Sequence, residues 1–372
     1  MDTVDILIVD DSSLMRNLLS KMILSVLKNV TVDVANDGKI ALDKIKDNKK
    51  FDLIILDLNM PVMNGPEFMK EHKARNIDIP VVIFSSIAHS GAFWTMECLE
   101  LGAVDFLLKP GGIQTDDNAK MDEQIVRFIR TYGANHARAN GKRISFFHEK
   151  PLSTINTPSG GGLVAVASDK KIPDPVKPIR EPGKINLIAI GISTGGPNAL
   201  REVFAQISPD IPQPIVVVQH MPVGFTSEFA HSLNHICPLE VKEATEGDIL
   251  KKGRVIIAPG DKHIVIEKKP LASIIHLSDA PPRNGHRPSV DVLFESVAKE
   301  YQNTALGIIM TGMGRDGAEE LAKMRKEGAR TLGQDEKSSI VYGMPRVAYE
   351  MGAVQEQVPL SQMAEKIGKL CL

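Results

Sequence analysis

The sequence predicts an α/β fold class, with two doubly wound and mainly parallel sheets joined by a flexible linker. Strand-like and helix-like segments alternate from residue 1 to about residue 130, and the alternation resumes at Ile185 and continues to residue 372. Such alternation is typical of parallel sheets covered by helices on both faces. The stretch between is rich in Gly, Pro, Ser, Asn and Lys, a composition that buries too little apolar surface to fold alone. We therefore predict domains at 1–130 and 185–372 and a linker at 131–184.

Five short strands are predicted in the first domain, at residues 6–10, 32–35, 53–57, 81–85 and 106–109. A helix is expected between the first two strands, because Leu14, Leu18 and Met22 belong to an apolar stripe at helical spacing. We expect a five-stranded parallel sheet in the flavodoxin-like order 2-1-3-4-5. In that order the first and third strands are neighbours at the topological switch point.

Polar side chains stand at the ends of four of these strands. Asp10 and Asp11 end the first strand, Asp57 ends the third, Ser85 the fourth and Lys109 the fifth. Converging carboxylates repel one another unless a cation is bound, and oxygen ligands of this kind suit Mg²⁺. The hydroxyl and the ammonium can hold phosphoryl oxygens. Each residue alone could cap a helix, but the matching positions favour one metal-dependent phosphate site.

In the second domain, three β-branched runs at 186–191, 214–219 and 305–310 are typical of buried parallel strands. After them come Ser193, His220 and Asp316. Because ligands bind at the carboxyl ends of parallel strands, we expect these side chains to share one crevice. Two further strands, at 255–258 and 263–267, flank Pro259-Gly-Asp-Lys262 and suggest an antiparallel hairpin among the parallel strands.

Ser193 lies in Gly191-Ile-Ser-Thr-Gly195, which fits the G-x-S-x-G pattern of a nucleophile elbow between a strand and a helix. Glycines permit the sharp turn and leave backbone N–H groups near the helix start, where an oxyanion can be stabilised. A turn of this composition could equally bind phosphate or cap the helix. The lysine of a P-loop is missing from the sequence that follows.

His220 and Asp316 complete a possible triad. Alone, the histidine could be structural and the aspartate could cap the following helix. With Ser193 they form a nucleophile, a general base and a carboxylate that orients the base. The chain order Ser, His, Asp differs from the familiar triad orders, but triads are recognised by geometry rather than order.

Residues 231–237 could alternatively form a zinc site. His231 and His235 are four residues apart on a predicted helix, and Cys237 follows closely. No glutamate occupies the metalloprotease position, and Phe225 and Phe229 already give the helix a packing face. We therefore favour a structural helix over a metal site.

Composition narrows the class of protein. A net charge of −2 and no helix-turn-helix pattern argue against nucleic-acid binding. Three cysteines without paired spacing and no apolar run near 18 residues predict a cytoplasmic protein with no membrane span. Two other functions stay open on these grounds: a binding module without catalysis, and a nucleotide-binding output domain.

The first third of the chain resembles the receiver domain of two-component response regulators. The matching residues are Asp10-Asp11, Asp57 with Asn59-Met60-Pro61, Ser85 and Lys109-Pro110. The resemblance implies that a histidine kinase supplies a phosphoryl group to Asp57. It also implies that Mg²⁺ is held by Asp10, Asp11, Asp57 and the backbone carbonyl of Asn59. Ser85 stands where threonine is more frequent in that family.

The second half resembles the catalytic domain of chemotaxis protein-glutamate methylesterases, the CheB family. The matching stretches are Ile190-Gly-Ile-Ser-Thr-Gly-Gly196, Gln219-His-Met-Pro222, Arg287-Pro-Ser-Val-Asp-Val-Leu-Phe294, Met310-Thr-Gly-Met-Gly314 with Asp316-Gly317, and Val341-Tyr-Gly-Met-Pro-Arg346. A receiver joined to this domain is that family's own architecture. Ile192 stands where alanine is frequent, and Arg315 where asparagine is frequent.

The second resemblance implies that Ser193, His220 and Asp316 are catalytic and that the backbone amide of Met313 serves the oxyanion site. The implied reaction is hydrolysis of glutamate methyl esters on chemotaxis receptors, with release of methanol and no cofactor. A serine hydrolase that acts outside chemotaxis is the nearest alternative, because a single sequence names no receptor. Deamidation of receptor glutamines is implied as well, and so is a receiver that obstructs the active site until it is phosphorylated. The basic loop 283–287 would meet acidic receptor helices or remain a solvated loop.

Overall fold

The computed structural model describes residues 2–46, 50–86, 89–109, 115–144 and 174–372. The chain divides into two compact units, Met1–Lys171 and Ile172–Leu372. Within the described residues, no helix is both long enough and apolar enough to cross a membrane.

The first unit is a five-stranded parallel sheet between helices, and its strand order β2-β1-β3-β4-β5 is the predicted one. Its strands are β1 Val4–Val9, β2 Val30–Ala35, β3 Leu53–Asp57, β4 Val81–Ser85 and β5 Asp105–Leu108. Its helices are α1 Ser13–Val26, α2 Gly38–Lys46, α3 Gly65–Ala74, α4 His89–Glu100, α5 Thr115–Phe128 and α6 Ala134–Ala139, with a π-helical turn at Ile129–Gly133. The middle strand β3 is buried along its whole length, as expected for a strand covered on both faces.

The second unit contains a seven-stranded sheet in the order β14-β13-β12-β6-β7-β9-β8, and every strand pair in it is parallel. Its strands are β6 Leu187–Ile192, β7 Ile215–Gln219, β8 Glu240–Glu243, β9 Arg254–Ile257, β12 Ala305–Ile309, β13 Arg330–Gln334 and β14 Glu356–Val358; β10 His263–Lys268 and β11 Ser273–Ser278 lie outside the sheet. Its helices are α7 Gly196–Gln206, α8 Phe225–Asn234, α9 Val290–Tyr301, α10 Ala318–Lys326, α11 Met344–Glu350 and α12 Leu360–Cys371. The chain leaves β6 for β7 on one side, and β12 lies on the other, so the switch point falls at β6.

The antiparallel hairpin is present, but its predicted strand pairing is wrong. The strand near 255–258 is β9, which pairs parallel with β7 and β8. The strand near 263–267 is β10, which pairs antiparallel with β11 in a separate two-stranded sheet. A side chain at Gly260 would lie 2.5 Å from the backbone of Val223. The loop at 259–262 therefore packs against the loop after β7 instead of reversing the chain into a hairpin.

The predicted linker is wrong at its first boundary, because residues 131–144 complete the first unit. Tyr132 is buried and its hydroxyl donates to Asp105 Oδ2 at 3.0 Å. The Lys142 ammonium lies 2.6 Å from both Asp5 Oδ2 and Asp52 Oδ2. These charged and aromatic side chains anchor the segment where the sequence shows no long apolar stripe.

The second boundary moves as well, because residues 174–184 belong to the second unit. The backbone amides of Val176, Ile179 and Gly183 donate to carbonyls of Gly352, Lys326 and Asn303 at 3.1, 2.8 and 2.9 Å. Backbone hydrogen bonds need no particular side chain, so composition did not reveal them. The rest of the predicted linker, 145–173, lies outside the described residues.

Candidate active site

The turn after β6 presents Ser193 at the start of α7. The Ser193 amide donates to the Thr311 carbonyl at 2.9 Å, and the Gly196 amide donates to the Ser193 carbonyl at 2.8 Å. Gly195 has φ +73° and lies so close to Ile340 that an added Cβ would be 2.8 Å from the Ile340 Cβ. Only glycine meets both demands, so Gly195 fixes the sharp turn that projects the hydroxyl.

His220 follows β7, the neighbouring strand, and contacts both other members of the predicted triad. Its Nδ1 lies 3.1 Å from Ser193 Oγ, and its Nε2 lies 2.8 Å from Asp316 Oδ2. An ionised carboxylate only accepts hydrogen bonds, so Nε2 carries the proton and the Nδ1 lone pair faces the hydroxyl. In the chymotrypsin-type triad the assignment is reversed, because there Nε2 faces the serine and Nδ1 faces the aspartate.

Asp316 lies beyond β12, the strand on the other side of β6, and its carboxyl group is buried. Oδ1 accepts from Ser289 Oγ at 2.7 Å, from Asn284 Nδ2 at 3.0 Å and from the Asp291 amide at 3.2 Å. Oδ2 accepts from the Val290 amide at 2.7 Å in addition to His220.

The environment keeps this carboxylate charged. Burial alone would raise the pKa of Asp316, but the hydrogen bond and charge of His220, with the donors Asn284 and Ser289, outweigh it. The pKa of the carboxyl group is therefore held well below its usual range. An ionised Asp316 can hold His220 in one tautomer and stabilise its charged form.

The sequence reasoning missed several residues that hold Asp316. Ser289 and Asp291 flank the start of α9, where they look like ordinary helix-capping residues. Asn284-Gly285 is a typical turn dipeptide and gave no other signal. Arg315, the residue before Asp316, points its guanidinium at Glu319 on the exposed side of α10 and pairs with it there.

Met313 lies in the turn after β12, beside Ser193. A Cβ at the preceding Gly312 would lie 2.8 Å from Ser193 Cβ, so the two turns touch. The Met313 side chain is partly exposed, at 38%. The turn that carries Met313 therefore touches the turn that carries Ser193, and the oxyanion contact of the Met313 amide stays a prediction.

Gln219, the last residue of β7, is a further feature that the sequence did not reveal. Its buried side-chain amide donates to the backbone carbonyls of Ser193 and His220 at 3.0 and 3.2 Å. One amide group thus joins the turns that carry Ser193 and His220. This arrangement helps to fix their separation.

The basic loop 283–287 is paired with acidic residues of its own unit. Arg283 lies 2.5 Å from both Glu295 and buried Glu320, and Arg287 lies 2.5 Å from Asp261. These pairs favour a structural role over the two roles considered from the sequence.

In the first unit, the structure collects Asp10, Asp11 and Asp57, whose carboxylate oxygens lie within 4.8 Å of one another. The Lys109 ammonium lies 2.9 Å from Asp10 Oδ2 and 2.8 Å from Asp57 Oδ1. Burial, with Asp10 adding to it, raises the pKa of the Asp57 carboxyl although Lys109 opposes the change. The donor set of clustered carboxylates fits a hard divalent cation such as Mg²⁺.

For two other predicted residues of the first unit, Ser85 and Asn59, the structure shows no hydrogen bond to the acidic cluster within the described residues. The buried Ser85 hydroxyl lies within hydrogen-bond distance of the Ser86 and Gly91 carbonyls, at 3.2 and 3.3 Å. To donate to a phosphoryl group, the Ser85 hydroxyl would have to turn its single hydrogen away from these carbonyls. Asn59 lies exposed in the loop after β3, and the role of its carbonyl stays a prediction.

The zinc alternative gains no support. The rings of His231 and His235 meet edge to face, 4.5 Å between centroids. Across the described ranges, the group of three or more His, Cys, Asp or Glu ligands that could hold a metal is the acidic cluster of the first unit.

Comparisons with known proteins match both units. Residues 188–367 match the family described as CheB methylesterase, and residues 6–117 match the response regulator receiver domain. A protein-glutamate methylesterase/protein-glutamine glutaminase of Treponema denticola is 55% identical, with 99% of this chain and 98% of that protein covered. A protein of the same description from Treponema pallidum is 48% identical, with coverage of 98% and 96%. One from Sulfurimonas denitrificans is 40% identical, with coverage of 98% and 97%.

Proposed function

We propose that this chain, which belongs to the CheB methylesterase family and carries a receiver domain, demethylates chemotaxis receptors under the control of phosphorylation. It is a protein-glutamate methylesterase, and it carries the protein-glutamine glutaminase activity that its relatives' names also give. One observation carries the site assignment: a hydrogen-bonded line from Ser193 Oγ through His220 to Asp316, at the ends of three adjacent strands.

The first half of the proposed reaction forms an acyl-enzyme. Ser193 Oγ attacks the ester carbonyl carbon of a methylated glutamate while His220 Nδ1 takes the hydroxyl proton. The carbonyl electrons move to oxygen, which the Met313 amide and the start of α7 would stabilise. When the tetrahedral intermediate collapses, the bond to the methoxy oxygen breaks. That oxygen takes the proton from Nδ1 and leaves as methanol.

The second half restores the enzyme. Water attacks the acyl carbon and gives one proton to His220 Nδ1, which passes it to Ser193 Oγ as the bond to serine breaks. The glutamate side chain departs as a carboxylic acid and releases the second water proton to solvent, which leaves the carboxylate. Asp316 keeps the other ring nitrogen protonated throughout. With a glutamine substrate, ammonia leaves in place of methanol and the remaining steps are the same.

The receiver supplies the control. We assign Asp57 as the phosphoryl acceptor, with the phosphoryl group coming from the histidine kinase of the chemotaxis system or from a small phosphodonor. Asp10, Asp11, Asp57 and the Asn59 carbonyl would hold Mg²⁺, which supplies positive charge against the phosphoryl oxygens. Lys109 and Ser85 would contact the phosphorylated side chain. In our proposal the unphosphorylated receiver obstructs the catalytic site, and phosphorylation relieves this inhibition.

The three cysteines, Cys98, Cys237 and Cys371, are buried thiols without a disulfide. Free thiols suit a reducing compartment. We therefore propose a cytoplasmic location, with membrane contact through the receptors alone.

The direct test of the proposed function is methanol release from methylated receptor membranes. We expect the full chain to release methanol, and to do so faster when Mg²⁺ and a small acyl phosphate are added. Glutamine-bearing receptors are expected to release ammonia under the same conditions. No methanol from any methylated receptor preparation would contradict the proposal.

Replacing Asp57 with Asn is expected to abolish the response to phosphodonor. The amide cannot accept a phosphoryl group, so the ratio of methanol release with and without phosphodonor should fall to about one. Asp43→Asn, at an exposed aspartate of α2 paired with Lys39, is the matched control and should keep the normal ratio. An unchanged ratio in Asp57→Asn would remove Asp57 as the switch.

Replacing Asp11 with Asn is expected to weaken Mg²⁺ binding by roughly tenfold or more, because a charged oxygen ligand is lost from a cluster of three. Isothermal titration calorimetry of the full chain with MgCl₂ measures this directly, and Asp43→Asn again serves as the control. Equal Mg²⁺ affinity in Asp11→Asn and the unaltered protein would exclude Asp11 as a ligand.

A further inference from the structure

A tight turn between β11 and α9 touches both partners of the nucleophile. Arg283 and His286 exchange backbone hydrogen bonds of 3.1 and 3.0 Å, and the two residues between them, Asn284 and Gly285, have φ +54° and +79°. Positive φ at both central positions is the type I′ pattern, which Asn-Gly favours. We refer to residues 283–286 as the support turn.

Asn284 bridges two buried carboxylates. Its Nδ2 lies 2.5 Å from Asp291 Oδ2 and 3.0 Å from Asp316 Oδ1, so the two hydrogens of one amide serve two acids. Asp291 in turn accepts from the Gly317 amide at 3.0 Å, directly after Asp316. A neutral amide donates a hydrogen bond to each carboxylate without adding a charge between them. It also leaves Asp316 Oδ2 facing His220.

His286 covers one face of the His220 ring. The two rings are stacked, with centroids 3.8 Å apart and an interplanar angle of 12°. Stacking at this distance opposes rotation of the His220 ring out of the line between Ser193 and Asp316. The support turn therefore restrains both the base and the carboxylate.

The support turn is itself held firmly. Arg283 lies 2.5 Å from Glu320, which is fully buried, and the Arg287 backbone carbonyl accepts from the Asp261 amide at 3.1 Å. Ion pairs of Arg283 and Arg287 lock the turn on either side. From its composition this basic segment would be expected to be solvated. Instead, its ion pairs hold it next to Asp316 and His220.

We propose that the support turn positions the catalytic dyad, with Asn284 orienting Asp316 and His286 restraining His220. This inference rests on the proposed function, since it assigns residues that act through the proposed triad. A displacement of about 1 Å in a catalytic group can cost on the order of 100-fold in rate. Loss of the Asn284 amide should therefore lower kcat by roughly 10- to 100-fold and leave KM nearly unchanged.

Two substitutions separate positioning from turn formation. Glycine and aspartate both adopt the left-handed conformation that position 284 requires. A role in the turn alone thus predicts nearly normal activity for Asn284→Gly and Asn284→Asp. Positioning predicts a lower kcat for Asn284→Gly and a lower one still for Asn284→Asp, which sets a third carboxyl group against Asp291 and Asp316.

Two substitutions of His286 test the stacking contact with the His220 ring. Phenylalanine keeps a flat ring over His220, and alanine removes it. We expect His286→Phe to retain most of kcat and His286→Ala to lose roughly tenfold or more. Equal kcat in the two variants would overturn the stacking part of the proposal.

The experiment measures kcat and KM for methanol release by the full chain with phosphodonor and Mg²⁺, alongside thermal unfolding of each variant. A lower kcat in Asn284→Gly, at unchanged KM and melting temperature, supports the proposal. Normal kcat in both Asn284 variants overturns it, and so does a change confined to KM, which would assign the turn to receptor binding. Ser193→Ala is run in parallel: if it stays active, the proposed function fails, whereas inactive Ser193→Ala with normal Asn284→Gly defeats this inference alone.

Discussion

Ser193→Ala is expected to lower the rate of methanol release by ~10⁴-fold or more, the loss typical when the nucleophile of a triad is removed. Alanine leaves the turn after β6 intact, because the backbone bonds of Ser193 to Thr311 and Gly196 do not involve the hydroxyl. The variant should therefore fold normally and still bind receptors. The measurement is methanol release at saturating phosphodonor, with thermal unfolding to confirm an unchanged fold.

Ser208→Ala is the matched control, since Ser208 Oγ accepts from the Asp210 amide in a loop after α7. It should retain normal activity. A serine-directed covalent probe should label the unaltered protein and Ser208→Ala, and fail to label Ser193→Ala. Methanol release at the normal rate by Ser193→Ala would rule out the acyl-enzyme mechanism.

Asp316→Asn is expected to lower kcat by about 10⁴-fold, because an amide in this place favours the wrong tautomer of the base. Asp316 accepts from Ser289, Asn284 and two backbone amides besides His220. An asparagine offers one acceptor oxygen where five donors converge, so its NH₂ must face at least one of them. The mismatch should also destabilise the unit by ~1–3 kcal/mol.

Chemical denaturation must accompany the kinetics for this variant, with kcat measured where the protein is still folded. Asp279→Asn, at an exposed aspartate paired with Lys262, is the control for loss of one negative charge. Asp279→Asn should keep normal kcat and stability. Activity of Asp316→Asn within tenfold of normal would show that Asp316 does not orient the base.

The topology followed from patterns that are local in sequence. Buried parallel strands need continuous β-branched runs, and the runs at β1, β3, β6, β7 and β12 were found within two residues of their ends. Because parallel strands point their carboxyl ends the same way, Ser193, His220 and Asp316 could be expected at one edge. The acidic residues Asp10 and Asp57 followed by the same reasoning, since β1 and β3 are neighbours in the sheet.

Two predictions were wrong, the linker boundaries and the pairing of the hairpin strands, and neither rested on a periodic apolar pattern. Residues 131–144 lack a clear apolar stripe and were assigned to the linker, yet Tyr132 and Lys142 anchor them through hydrogen bonds and ion pairs. The pairing of β10 with β11 rather than β9 depended on how the loop at Gly260 packs against Val223. Neither contact leaves a trace in composition, because each joins residues far apart in the chain.

The sequence by itself determined the two parallel sheets, the strand ends that carry the reactive side chains, and the family to which those motifs belong. Only the tertiary structure decided which nitrogen of His220 faces Ser193, how five donors keep Asp316 charged, and that Asn284 and His286 support the pair. The physical reason is the separation in sequence between the residues that interact. Strand and helix patterns are written in neighbouring residues, whereas a side chain's orientation is set by partners that arrive from other elements once the chain has folded.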